Sequence, residues 1–434
     1  MTKKLNSSLW KYKSDYYDLE PFFNRHPGGT DMLEMARGKQ CEDVMHVHHR
    51  LSNKNIEAMM PKYKVERENI VIDDEHLEAD NGGMFDWHSP FHTELTAKVK
   101  NHFNGSIANT KSPILFTIAI ALLLAIDYYF LFQGVANGSF LMVFLITILH
   151  MCLGFSLFHT ASHSAWSTSP TVNWTLEYSW SVFTLFFPSI WKQHHVMLHH
   201  TYTGIHKKDV DVAHALPFIR KSTMSRYRVW FAFQHIYAVF FYLVATGQWS
   251  GQSISYIISM FRNKLFGATI KPNFHNNVAL KWNLFGMGLF LFLFIFYPYF
   301  IFGHSMWSCL YVLSAFILAM NFMYWLHVFP NHDLDICSHS HSHNRDWSIQ
   351  QISTSTYYYM PYILAELTGR MMSQNIHHLF PTVHPAHYPQ LLEITKQHCT
   401  QHGVYFPETT FVKMFNSYFK FLKAMSIGNS KKQM

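Results

Sequence analysis

Four apolar stretches, 113 to 132, 140 to 158, 284 to 303 and 306 to 326, dominate this chain of 434 residues, and Asp127 is the one acid among them. Each approaches or reaches the roughly 20 residues that cross a hydrocarbon core as an α-helix. Lipid offers no water to an unpaired backbone group, so stretches of this kind must be helical. Only 135 to 139 separates the first pair, and His304 with Ser305 the second, which predicts two helical hairpins. Composition agrees: 14% of residues are charged against 49% hydrophobic and 17% aromatic, less charge than a soluble chain of this length carries. The expected fold class is an all-α multi-pass membrane protein with four transmembrane helices and further interfacial helices.

Neither hairpin turn holds a Lys or Arg, whereas 159 to 281 holds eleven and both termini are rich in them. The termini and the middle segment are therefore expected on the cytosolic side. The net charge of +7 reads as basicity facing anionic lipid. Nucleic acid is not an expected partner, because no basic run is interleaved with a readout motif. Cys41, Cys152, Cys309, Cys337 and Cys399 form no CxxC pair and suggest free thiols in a reducing compartment. The first residues lack the apolar core of a cleaved signal peptide, so the first span is expected to direct insertion.

Residues 1 to 65 are polar and mixed and predict a small soluble domain. Residues 66 to 112 read as a linker, with the turn-forming DDEHLEADNGG and then an interfacial helix. The membrane domain is expected over 113 to 400 and a cytosolic tail over 401 to 434. Within the membrane domain, 174 to 191 and 229 to 247 are apolar but interrupted by polar residues, as suits interfacial or re-entrant helices. No repeat of 20 to 50 residues recurs.

Three clusters of metal-type side chains follow apolar stretches: His159/His163, His195/His199/His200 and Gln374/His377/His378. Residues four apart share a helix face, so His159 with His163, and His195 with His199, can each aim two imidazoles at one metal. His200, turned by roughly 100 degrees, would reach a neighbouring ion. Gln374, His377 and His378 again share one face. A single HxxxH is more often a packed or surface pair, but three clusters at equivalent membrane depth reverse that reading. Imidazole suits iron, copper and zinc, and eight ligands exceed one tetrahedral zinc but suit two metals with open positions. His327, at the cytosolic end of the fourth span, is the expected ninth ligand. His339, His341 and His343 alternate in a polar loop and read as solvated. His384 and His387 follow prolines and suit supporting roles, and His194 lies one residue off register.

Taken together, HTASH, WKQHHVMLHHTYTG followed by KKDVD, DWSIQQISTST and LTGRMMSQNIHHLFPTVHPAHYP resemble the conserved segments of membrane fatty-acyl desaturases of the front-end type, whose third histidine box begins with Gln. Thr160 stands where that family has Asp, and Gly204 where it often has Asn. YDLEPFFNRHPGG at 17 to 29, with Trp10, resembles the cytochrome b5 signature, which implies a small α+β haem domain at the N-terminus. That resemblance makes His26 one axial ligand of haem b and His49 the second, with His48 and His46 as alternatives; Gln40 replaces the usual Asp and Met45 the usual aromatic. A six-coordinate haem of this kind passes electrons and does not bind oxygen.

The two resemblances imply a mechanism in one chain. Electrons pass from NADH through a separate cytochrome b5 reductase to the haem and then to two non-haem irons held by the nine ligands. Molecular oxygen is the co-substrate, and two adjacent hydrogens leave an acyl lipid or acyl-CoA. A sphingolipid desaturase or a hydroxylase would use the same chemistry. A reading of another class is a catalytically degenerate haem or electron-transfer membrane protein, motivated by Thr160, Gln40 and Gly204. It also fits the insect cytochrome b5-related proteins, to which the chain is similar. The terminal KKQM resembles the dilysine signal of endoplasmic reticulum membrane proteins.

Overall fold

The computed structural model describes residues 3–80, 82–213, 215–244, 277–338 and 344–427. His339, His341, His343 and the terminal KKQM lie outside the described residues. Among the described residues, four helices are long and apolar enough to cross a membrane: Ile114–Ala136, Phe140–Ser162, Lys281–Ile301 and Met306–His327. A helix of 23 residues is about 34 Å long, enough for a hydrocarbon core of about 30 Å. The protein is an integral membrane protein built on these two hairpins, as the apolar pattern predicts. The second and fourth spans are 56% buried and the first and third 22%, so the former pair forms the centre of the bundle.

Burial along the first span explains its orientation. Ile114, Leu115 and Leu122 point outward, where lipid takes the place of a protein partner, while Leu131 is buried. Asp127 is fully buried as well, and His150 of the second span lies 2.6 Å from its carboxylate. An acid placed in a membrane helix is thus turned inward and paired. Gly154 lets helix Pro170–Ser181 approach: a Cβ there would sit 2.4 Å from the Trp180 ring, whose N–H donates to the His150 carbonyl at 2.8 Å. Among the described residues, Val229–Val244 is a shorter apolar helix.

At the N-terminus, strands Trp10–Tyr12 and Asp15–Tyr17 pair antiparallel, and Lys4–Leu5 pairs parallel with Ile70–Val71. Helices Asp31–Ala36 and Glu42–His49 close over a core of Trp10, Tyr12, Leu33, Cys41 and Val44. This unit sits against the histidine-bearing end of the bundle. Lys192 bridges the two parts, 2.8 Å from the buried Glu177 carboxylate and 3.3 Å from that of Asp31. All five cysteines are buried free thiols.

Candidate metal centre

The backbone carrying the first two histidine clusters is wider than an α-helix. Gly154–His159 and Lys192–His199 are π-helical, with hydrogen bonds closing five residues apart. That extra residue per turn changes which side chains share a face. His195 meets His200, five residues on, at 3.0 Å between their Nε2 atoms, and meets His159 at 2.9 Å. With His163 and His377 these form one group of five buried imidazoles whose ring nitrogens lie within 4.8 Å of one another. His199, His332 and His378 form a second group. The α-helical pairing of His195 with His199 is therefore corrected: they belong to different groups, and His200 joins His195. His377 and His378 are likewise divided, one to each group.

His327 belongs to neither group. Its Nδ1–H donates to the Met323 carbonyl at 3.2 Å within its own helix, and its ring packs on Phe155. The span ends there because Pro330 follows and Asn331 donates to the His327 carbonyl at 2.5 Å. The tight turn Phe329–Asn331 then carries His332 across to His199, at 3.3 Å between Nε2 atoms. Nothing in the pattern of apolar residues marks His332; the Pro-Asn-His that closes the span is the signal for it. Gln374 is buried beside both groups, with an Oε1 that has no hydrogen-bond partner among the described residues.

The surroundings of the rings fit a metal centre. His199 Nδ1 donates to Asp209 at 3.0 Å, His332 Nδ1 to the Thr354 carbonyl at 2.9 Å and His378 Nδ1 to Gln351 Oε1 at 3.0 Å, while His377 Nδ1 meets the Tyr388 hydroxyl at 3.0 Å. Each ring is gripped by Nδ1 and left with Nε2 toward its neighbours, the way metal-ligating histidines are oriented. Nε2 of His377 and His378 has no hydrogen-bond partner among the described residues, which would be costly in a dry core without an ion. Burial, reinforced by neighbouring histidines, holds His195, His200, His377 and His378 well below the usual histidine range and so neutral. At His199 burial is outweighed by Asp209 and Asp211, which raise it to about 9. A small apolar pocket lies between His159, His195, His199 and His332 and the side chains of Phe155, Phe158, Trp180 and Tyr324.

His26 and His49 face each other in the N-terminal unit, ring centroids 5.9 Å apart. His26 Nδ1 donates to the Gly29 carbonyl at 2.6 Å and His49 Nδ1 to the Met45 carbonyl at 2.8 Å, so both present Nε2 as a neutral ligand. Burial lowers both pKa values, which keeps those lone pairs free. Both line a cavity of about 380 Å³ with Leu33, Ala36 and Val44. His163 closes the same cavity from the metal side. His46 is turned away and stacks on Trp87 at 4.9 Å, and His48 borders the same cavity.

The fatty acid desaturase family model matches residues 112–410, and the cytochrome b5-like heme/steroid binding domain model matches residues 3–67. The chain belongs to the fatty acid desaturase family. This desaturase is 26% identical to a probable Delta(5) fatty acid desaturase C of Dictyostelium discoideum, over 95% of this chain and 90% of the relative. It is 25% identical to an acyl-lipid (8-3)-desaturase of Mortierella alpina, over 95% and 92%. The haem of its N-terminal domain and a di-iron centre are the cofactors that these families imply, and the histidine groups are compatible with them.

Two of its departures have a structural account. Gly204 adopts a φ of +75°, a conformation that Gly takes freely and Asn tolerates, and its N–H donates to Asp209 at 2.7 Å. Gln40 accepts from the Glu42 N–H at 3.2 Å and donates to the Lys13 carbonyl at 2.8 Å, holding the turn into helix Glu42–His49. Thr160 differs: its hydroxyl is buried and, like both nitrogens of His163, has no hydrogen-bond partner among the described residues.

Proposed function

We propose that this protein is a front-end acyl-lipid desaturase of the endoplasmic reticulum membrane, with termini and metal site on the cytosolic side. The observation that carries this reading is the pair of imidazole groups, four of whose rings (His199, His332, His377 and His378) are held by Nδ1, beside a small apolar pocket and the haem cavity. His159, His163, His195, His200 and His377 would hold one iron and His199, His332 and His378 the other, with Gln374 at their open side. His26 and His49 would hold the haem. Bound iron with oxygen supplies an oxidant strong enough to take hydrogen from an unactivated methylene, and the haem supplies electrons.

The chain's own residues do the rest. Phe155, Phe158, Trp180 and Tyr324 bind the acyl chain and exclude water from the site. Asp209, Gln351, Tyr388 and the Thr354 carbonyl hold the rings in orientation. Electrons from NADH would reach the haem through a cytochrome b5 reductase. The haem domain would occupy 1 to 65, the linker 66 to 112, the membrane domain 113 to 400 and the tail 401 to 434. Similarity to relatives named Delta(5) and (8-3) desaturases supports a front-end product.

The test is fatty-acid profiling of a yeast with defined lipids expressing the chain, with His377→Ala as control. A new double bond on the carboxyl side of an existing one, absent in the control, is expected. A second reading, an electron-transfer protein that desaturates nothing, is favoured by the unpartnered Thr160 hydroxyl. Haem without further iron in the purified protein, and no new lipid, would establish that reading instead.

A further inference from the structure

The cavity that His26 and His49 line is not walled by the N-terminal unit alone. That unit contributes the apolar side chains of Leu33, Ala36 and Val44. Lys111, just before the first span, and Ser164, Ser167 and Thr168, which follow His163, complete the wall. All four lie outside residues 3–67, the cytochrome b5-like segment. Lys111 is the one Lys or Arg along the wall, and no Asp or Glu lines it among the described residues. Lys111 is held in place but not neutralised. Its partly buried ammonium donates to the carbonyls of Ser164 and Thr382, each at 2.9 Å, which uses two of its three N–H groups. Its own carbonyl accepts from His387 Nε2 at 3.0 Å, which fixes the backbone beneath it. No carboxylate among the described residues pairs with it, and burial lowers its pKa to about 8. An anion on the third N–H would stabilise such a cation.

We propose that Lys111 binds a carboxylate of haem b, so that the haem site is shared between the N-terminal unit and the segment leading into the membrane domain. The proposal rests on the assignment of His26 and His49 as haem ligands above. Haem b is an apolar ring that carries two carboxylates. The wall matches both parts: apolar side chains come from one unit, and an ammonium among hydroxyls comes from the other. A lining without Asp or Glu leaves nothing to repel the carboxylates. Haem binding therefore favours the docked arrangement of the two parts, because one carboxylate ties them together.

The experiment uses the full-length protein, purified without haem and then loaded with haem b or with its dimethyl ester, which lacks the two carboxylates. Release of each to excess apomyoglobin is timed by absorbance. Wild type is expected to retain haem longer than the ester. In Lys111→Met, release of haem is expected to quicken by about tenfold, while release of the ester keeps its wild-type rate. Lys111→Arg, which keeps the cation, is expected to restore slow release of haem. Wild-type release of haem from Lys111→Met overturns the proposal. Equal quickening for haem and ester overturns it too, since the lysine would then act on the fold and not on a carboxylate. If Lys111→Met does not fold, Lys111→Gln, which keeps N–H donors for the two carbonyls, is compared with Lys111→Arg; equal release of haem from the two overturns the proposal. A wild-type chain that takes up neither porphyrin overturns the assignment of His26 and His49 itself, which is a different result from unchanged release in a haem-loaded variant.

Discussion

His332 Nε2 lies 3.3 Å from His199 Nε2, and its ring centre is 4.5 Å from that of His378. These three rings come from the turn after the fourth span, from the second cluster and from the third cluster, so the second imidazole group exists only in the folded protein. His332→Ala is expected to lower the iron content of the purified protein from two to about one and to abolish desaturation. His327→Gln is expected to leave iron unchanged, because its ring is engaged with Met323 and Phe155. Metal analysis of the two variants checks both expectations, and the opposite pattern would return His327 to the ligand set.

Tyr388 and Asp209 hold rings without belonging to either imidazole group. Tyr388→Phe and Asp209→Ala each remove one grip on Nδ1 of a histidine, and outer partners of this kind typically contribute about 10- to 100-fold in metal affinity. Titration of the loaded protein with a competing chelator is expected to release iron from both variants at lower chelator concentration than from wild type. Unchanged release would mean that the rings are held by packing alone.

The haem cavity distinguishes among three neighbouring histidines. His49→Ala and His26→Ala are expected to abolish the haem absorption band. His46→Ala is expected to retain it, since His46 stacks on Trp87 and hydrogen-bonds with the Tyr12 hydroxyl at 3.2 Å. Loss of that stacking should cost about 1 kcal/mol of stability, visible as a lower thermal midpoint.

Gly154 and Trp180 set the closest approach in the bundle centre. Gly154→Ala places a Cβ 2.4 Å from the indole, which forces the ring or the helix to move. Overpacking of this kind costs about 1–3 kcal/mol, so a reduced unfolding temperature is expected. Because Trp180 lines the apolar pocket beside the histidines, acyl-chain binding should weaken as well; a variant with wild-type stability and product profile would show that the indole has room to shift.

Much of this protein is legible along its chain. Four runs of apolar residues can only be helices in lipid, HPGG marks a turn that presents His26, and three histidine clusters identify the material of a metal site. Local chemistry carries each of these signals within about a helix length. What the linear pattern could not decide is how the histidines are divided. One extra residue per turn in the π-helical segments moves His200 to the side of His195 and His199 away from it, and the inter-helix packing that sustains such a turn is not written in spacing. His332 is recruited by where a span happens to end. Arg50 meets Leu379 across 329 residues, a contact that only the docking of two domains creates. Ligand type is a property of residues and was determined by the sequence; ligand partition, and the docking of the N-terminal unit on the histidine-bearing end, depend on distances between segments remote in the chain, which the tertiary structure alone sets.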